Sequence, residues 1–494
     1  MILLLAAEAA LIGSQACAVC HPAVFRAYMQ TPMARSSGGV LEDLPAGSFR
    51  HDASGVQYRI DGASIVFERS GGIRGRRQAH FFIGSGAAGR SYVLRQDGHL
   101  FQAPVTWYAQ KQAWDVSPGY EQDLRSRWNR AIEPACLYCH ASRPQHIDGT
   151  QNRYQSPPFA ENGVACERCH GPGALHARGA GPIVNPAKLP PALRDDVCAQ
   201  CHLTGEARIN LPGRQLAMYQ AGKLLPDYVS FFVYEGAAGE GLKATSHVEK
   251  LSRSLCKQRS GEQLWCGTCH DPHRVPAPDL RAAWYRGKCQ GCHQPQACTR
   301  GPDCASCHMP RARVTGGGHG VLTDHGIARR PKPESAGRRG RKLLPWPGSR
   351  SDPRTLGLAY AELALETRDP FHEQEAFRLL REALPSHSAD PDLLTRLGWL
   401  HQQRGQTARA VELYQVALKL DPHRTVAKVN LGAMVARQGR LEDAIRLWES
   451  ALLENPGLTE PALNLVAAWR AQGEEAKARA ALQRLLRYDP DQGP

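Results

Sequence analysis

Between Gly47 and Tyr120, apolar and polar residues take turns along the chain. VQYRIDGASIVFER alternates on both sides of Asp61-Gly62, the pattern of two strands joined by a tight turn. HFFIGSGAAGRSYVLRQDGHLFQAPVTWYA continues with strand-like runs broken by glycines and by Asp97-Gly98. The pattern predicts a small antiparallel sheet over about residues 47–120. From Pro353 the period becomes helical. Leu397-Gly398, Gly405, Ala410, Tyr414, Ala417 and Pro422 recur 34 positions later as Leu431-Gly432, Gly439, Ala444, Trp448, Ala451 and Pro456. The same step leads on to Leu465, Gly473, Ala478, Leu482, Leu485 and Pro490, and backwards to a worn copy at Leu363, Ala364, Ala376, Leu380 and Ala383. The opening MILLLAAEAALIGSQA has an apolar run from Ile2 to Ile12 interrupted by Glu8, too short to span a bilayer. It resembles the apolar part of a secretory signal without the basic leader.

Neither period covers residues 16–328, where cysteine spacing carries the signal instead. Cys-x-x-Cys-His occurs seven times: Cys17/Cys20/His21, Cys136/Cys139/His140, Cys166/Cys169/His170, Cys198/Cys201/His202, Cys266/Cys269/His270, Cys289/Cys292/His293 and Cys304/Cys307/His308. These use 14 of the 16 cysteines, and every pair is followed by His. Zinc ribbons and structural disulfides need no His at that position. Covalent c-type haem attachment needs all three residues: two thiols add across the vinyl groups, and the next imidazole supplies the proximal iron ligand. The expectation is seven c-type haems, one per motif.

Charge and composition fit that expectation. The formal net charge is +14. Two propionates on each of seven haems would contribute roughly fourteen negative charges, so the Arg excess has a use other than nucleic acid, and no nucleic-acid partner is expected. Aromatic content is only 7%, in keeping with porphyrins serving as core. The chain divides into an apolar leader (1–15), a haem region (16–328) containing the insert (47–120), a basic Pro/Gly linker (329–352) and about four helical repeats (353–494). The fold class is mostly α and irregular, with a small β-rich insert and an α-helical solenoid. The 34-residue unit is similar to the tetratricopeptide repeat, whose small residues let two antiparallel helices approach. Its expected role is to bind a protein or peptide segment.

Six-coordinate iron requires a ligand on its second face. Nine histidines of the haem region are not proximal. His51, His146, His176, His247, His273, His319 and His325 are the distal candidates; His80 and His99 sit in the insert and read as satisfied sheet or surface residues. His372, His387, His401 and His423 of the repeats read as surface residues. His273 follows His270 by three positions, too few to pass round a porphyrin edge, so it should serve a neighbouring haem. The same holds for His146 after His140 and His176 after His170. Met33 is a rival distal ligand, which would raise its haem's potential. Cys256 and Cys298 lie outside the motifs and are candidates for a disulfide in an exported chain.

TPMARS, IGSGAAGRSY, CERCHGPGALH, CGTCHDPH, CASCHMPR and DHGI, followed by the repeats, resemble multihaem cytochromes c of the doubled Cys-x-x-Cys-His type joined to tetratricopeptide repeats. The resemblance implies an exported bacterial electron carrier, periplasmic or extracellular, with redox partner proteins. It also implies distal roles for His176 and His273. Related folds include nitrite- and hydroxylamine-processing enzymes, so the alternatives are an oxidoreductase with one open haem and a subunit that self-associates into an extracellular filament. The carrier reading assigns no catalytic residue.

Overall fold

A computed structural model describes residues 10–40, 44–69, 72–236, 242–294, 301, 303–314, 318–329 and 340–492. The alternating segment folds as expected and recruits strands on both sides of it. One antiparallel sheet takes in β1 (Ser37–Gly39), β2 (Gly47–His51), β3 (Val56–Asp61), β4 (Ser64–Glu68), β5 (Arg74–Ile83), β6 (Gly89–Gln96), β7 (His99–Tyr108), β8 (Ala113–Val116) and β9 (Arg130–Ala131). Strands β2 to β8 run in sequence order; β1 pairs with β5 and β9 with β7. Both sequence-level turn signals sit at hairpins. Gly62 has φ 53°, and Asp97 and Gly98 have φ 52° and 83°, the doubly left-handed turn that a two-residue hairpin demands. The sheet curls until β2 meets β8: Trp114 Nε1 donates to Pro45 O at 2.8 Å, and a Cβ on Gly47 would lie 2.7 Å from the Trp114 ring. Val56, Tyr58, Ile60, Phe67, Tyr92 and Trp128 fill the interior. All ten residues of β7 are buried, because other parts of the chain cover its outer face.

The haem region beyond the insert is built of short helices and small sheets: β10 (Ala141–His146) with β11 (Tyr154–Asn162), β12 (Ala207–Asn210) with β13 (Val229–Tyr234), and β14 (Arg311–Arg313) with β15 (Val321–Thr323). A third strand, β16 (Leu343–Pro345), pairs with β13. It lies in the segment read as a solvated linker. Leu343 is buried in a core shared with β12, β13 and the first repeat. The apolar LLPW run inside a basic stretch is the physical reason. Residues 330–339 of that segment lie outside the described residues, as do residues 1–9 of the leader and Cys298.

The repeats form α1 (Pro353–Thr367), α2 (Pro370–Ala383), α3 (Pro391–Gln403), α4 (Thr407–Leu420), α5 (Thr425–Arg437), α6 (Leu441–Glu454), α7 (Thr459–Ala471) and α8 (Glu475–Tyr488). The small residues of the 34-residue unit do what their size suggests. A Cβ on Gly398 would meet the Tyr414 ring at 2.9 Å, and one on Gly432 would meet Trp448 at 2.5 Å. His372, expected at the surface, is fully buried. Its Nε2 bonds Arg341 O at 3.2 Å, and its ring lies against Tyr234 of β13. Among the described residues no helix is long and apolar enough to cross a membrane.

Candidate haem-binding sites

Each motif occupies one turn of helix. His21 N, His170 N, His270 N and His293 N donate to the carbonyl of the first cysteine of their own motif at 2.9, 3.0, 2.9 and 2.9 Å. One turn puts positions i, i+3 and i+4 on the same side, so both thiols and the imidazole address one ligand face.

The fourteen motif cysteines, alike in the sequence, are not alike in their surroundings. Cys20, Cys292 and Cys307 are exposed, whereas Cys17, Cys289 and Cys304, the first cysteines of the same motifs, are half-buried. The cause is how little packs on these turns. The helix Ser14–Cys20 buries only Ser14, and the helices Arg281–Gln290 and Cys304–His308 bury no residue. In the third, fourth and fifth motifs both cysteines are half-buried; in the second, Cys136 is exposed and Cys139 half-buried.

The second imidazoles come from elsewhere in the chain. Two axial rings on one iron, with metal–nitrogen bonds of about 2.0 Å and about 1.1 Å more to each ring centre, stand about 6.2 Å apart. His21 and His176 ring centres are 6.2 Å apart with planes 5° from parallel. His170 and His273 are 5.9 Å apart at 16°, and His270 and His325 are 6.1 Å apart at 33°. His202 and His247 are closer, at 5.0 Å. Four of the distal candidates therefore face a proximal ring. In the first two pairs the partner lies next to a different motif, as the short spacing requires.

Their protonation suits ligation. Burial holds His140, His202, His247, His270, His273 and His325 below the ordinary histidine range, with His247 at about 3, so the rings are neutral. Nδ1 of His170 bonds Val184 O at 2.8 Å, Nδ1 of His308 bonds Ala328 O at 3.1 Å, and Nδ1 of His325 bonds Thr323 O at 3.0 Å. A carbonyl can only accept, so Nδ1 carries the proton and the Nε2 lone pair is left for a metal. The Tyr285 hydroxyl takes the same position at His270 Nδ1, at 3.2 Å.

The other candidates are placed differently. His146 lies against Tyr154 with a buried Nε2 that has no protein partner among the described residues. His51 has Nδ1 on Ser54 Oγ at 2.8 Å and Nε2 on Glu121 O at 3.1 Å, so both nitrogens are taken inside the insert. His319 Nε2 bonds Asp115 at the end of the sheet. His80 accepts from Arg95 N at 3.2 Å. His99, expected to be satisfied, is buried in β7, and neither ring nitrogen has a hydrogen-bond partner among the described residues. Met33 sits in a turn that Ser36 Oγ fastens to the second motif, donating to Met33 O at 2.8 Å and lying 2.9 Å from His140 O. Cys256 is half-buried; its partnership with Cys298 falls outside the described residues.

Two carboxylates escaped the sequence reading. Glu167 lies between the cysteines of the third motif. Its oxygens accept from Ile12 N at 3.0 Å, Gly13 N at 2.9 Å and Gly173 N at 2.8 Å, tying the approach to the first motif and the His176 segment to the third. Glu249, two residues after His247, accepts from Thr204 N at 2.9 Å and Gly205 N at 2.6 Å, just beyond His202. An acid inside the third motif and an acid two positions after a distal candidate are the only traces they leave in the sequence.

Thiols of different motifs also meet: Cys17 with Cys166, Cys139 with Cys201, Cys198 with Cys266, and Cys289 with Cys304. Clustered Cys-x-x-Cys-His turns with imidazoles facing their proximal rings are the features of a c-type cytochrome with several haems, and the helical C-terminal part adds tetratricopeptide repeats to it. Family models agree. Cytochrome c554 and c-prime matches residues 102–171, the doubled CXXCH motif residues 259–298, and the tetratricopeptide repeat residues 391–424 and 435–494. The C-type polyheme cytochrome OmcB of Geobacter sulfurreducens is 41% identical over 73 residues, 14% of this chain and 9% of the relative. The multiheme cytochrome MtrA of Shewanella baltica is 26% identical over 182 residues, 34% of this chain and 54% of the relative. The chain thus spans about half the length of one curated relative and a small part of the other. Among solved structures, MamA is 18% identical with a TM-score of 0.25, over 28% of this chain and 77% of that one.

Proposed function

We propose that the chain is an exported electron carrier, periplasmic or extracellular, with seven covalently attached haems capped mainly by two histidines each. The observation that carries this reading is the facing of His21, His170 and His270 by His176, His273 and His325 at the separation two axial rings require. Bound haem supplies a one-electron iron couple at each site. The protein contributes a histidine on each side, so the first coordination shell need not change when charge moves. The thiol contacts support a connected array. The first motif adjoins the third, the second adjoins the fourth, the fourth adjoins the fifth, and the sixth adjoins the seventh. His273, on the fifth motif's segment, joins the third to the fifth. Proximal His21, His140, His170, His202, His270, His293 and His308 would hold the irons, and the fourteen motif cysteines the porphyrins, with Cys20, Cys136, Cys292 and Cys307 the most exposed attachment points. His146 and Met33 are the candidates left near the second motif.

The test is a haem-to-protein ratio with quantitative electron spin resonance on the mature protein. Seven haems, predominantly low-spin, are expected; a colourless or zinc-loaded protein would end the proposal. A second reading, an oxidoreductase acting at one open haem, draws on His140. That ring is buried, and no histidine faces it among the described residues. Turnover of nitrite or hydroxylamine with a redox dye would favour it over the carrier.

A further inference from the structure

The 34-residue period repeats more than a helix pair. It also repeats a turn after each second helix, and these turns land on the haem region. After α2, Asp390 pairs with the buried Arg354, whose Nη1 donates to Asn210 O of β12 at 3.0 Å. After α4, His423 covers Gly149, where a Cβ would lie 2.8 Å from the imidazole. After α6, Gln151 N donates to Glu454 O at 3.1 Å and Asn455 Nδ2 to Gln151 Oε1 at 2.8 Å. Asn129 Nδ2 donates to Gly457 O at 2.6 Å. After α8, Asp491 pairs with Arg69 at 2.8 Å and accepts from Ser126 N at 2.5 Å, with its side chain fully buried. Tyr488 donates to Asp97 and packs edge-on against Phe101 at 5.7 Å.

We propose that the repeat region is an internal brace whose ligand along this edge is its own haem region, rather than a free arm that docks another protein there. The residues it grips flank two motifs. Ser126–Asn129 and Gly149–Gln151 lie on either side of the second motif, and β12 follows directly on the fourth. The brace spans the sites whose thiols, Cys139 and Cys201, meet. Its occupant is identified by fit. Gly457 leaves room only for Phe101, since a Cβ there would lie 2.7 Å from that ring. The buried carboxylate of Asp491 is neutralised by an arginine 422 residues away. The first repeat shares one core with β12, β13 and β16. This assignment rests on contacts between repeats and haem region and stands whether or not the chain carries electrons.

Hydrogen exchange on the haem-loaded protein and on Asp491→Ala tests it. Stranding Arg69 and freeing Ser126 N should speed exchange about 10- to 100-fold in residues 97–102, 125–131 and 454–459, leaving α3 and α4 protected. Unchanged exchange in those segments would overturn the brace. Should Asp491→Ala fail to fold, Tyr488→Phe removes the bond to Asp97, and Gln151→Ala removes the bond from Asn455 together with one to Glu133. Each should give a smaller acceleration confined to its own segment, and no acceleration in either would overturn the proposal equally. A normal haem ratio in these variants keeps the result separate from the electron-carrier reading.

Discussion

Replacing His273 by Ala tests the crossed arrangement of ligands. His273 follows the proximal His270 by three positions, yet its ring stands 5.9 Å from that of His170 in the third motif. Its side chain is 41% exposed, and its amide is held by Asp271 Oδ1 at 3.0 Å whatever side chain it carries. Removing the ring opens no core, so the change in stability should stay within about 1 kcal/mol. The effect is spectroscopic. With seven haems, one in seven, about 14% of the iron, should pass from low to high spin. A second background, Cys166→Ala with Cys169→Ala, removes the third haem. In it, His273→Ala should add no high-spin iron, because the iron it serves is already gone. Spin quantitation with a haem-to-protein ratio reads both results. A new high-spin fraction of about one in six in that background would place His273 on another iron and refute the pairing.

Glu167→Ala should remove three backbone hydrogen bonds to a carboxylate and destabilise the segment around the first motif by about 2–4 kcal/mol, read by denaturant unfolding; Glu167→Gln should do less harm. Burial pushes Glu362 up to about 7 against the pull of Arg396 and Arg208. A folded value above the unfolded one means stability that is complete below about pH 4.5 and lost as pH rises through about 7, so Glu362→Gln should flatten that slope and gain roughly 1–3 kcal/mol near pH 8. Gly432→Val drives a side chain into Trp448 and should lower repeat stability by about 1–3 kcal/mol, measured by thermal unfolding.

What could be read from the sequence is what depends on local spacing. The seven motifs, the 34-residue unit and the hairpins at Asp61-Gly62 and Asp97-Gly98 each need only a few residues in a fixed order, and the matching helices and strands are present. A three-residue gap is too short to encircle a porphyrin, and the ring of His273 lies 5.9 Å from that of His170. Fates set by distant neighbours could not be read. His51 looked like any spare histidine until Ser54 and Glu121 took its nitrogens. His319 met Asp115, and His372 was enclosed by Tyr234 and Arg341. Cys20, Cys292 and Cys307 have the same spacing as Cys169, yet they stand exposed where Cys169 is half-buried, a difference made by what packs on each turn. The contacts that join repeats to sheet rest on isolated residues such as Asn129 and Asp491, which carry no pattern at all.

On the ligation proposed above, the stretch Cys166–His176 belongs to two sites at once, anchoring its own cofactor and lending a ring opposite His21. Such borrowing makes the array hard to shorten. Excising one attachment unit would also uncap a neighbour, so lineages descended from this chain should shed these units in linked groups rather than singly. Biogenesis faces the same constraint: the first site is finished only after the third stretch has been threaded into place.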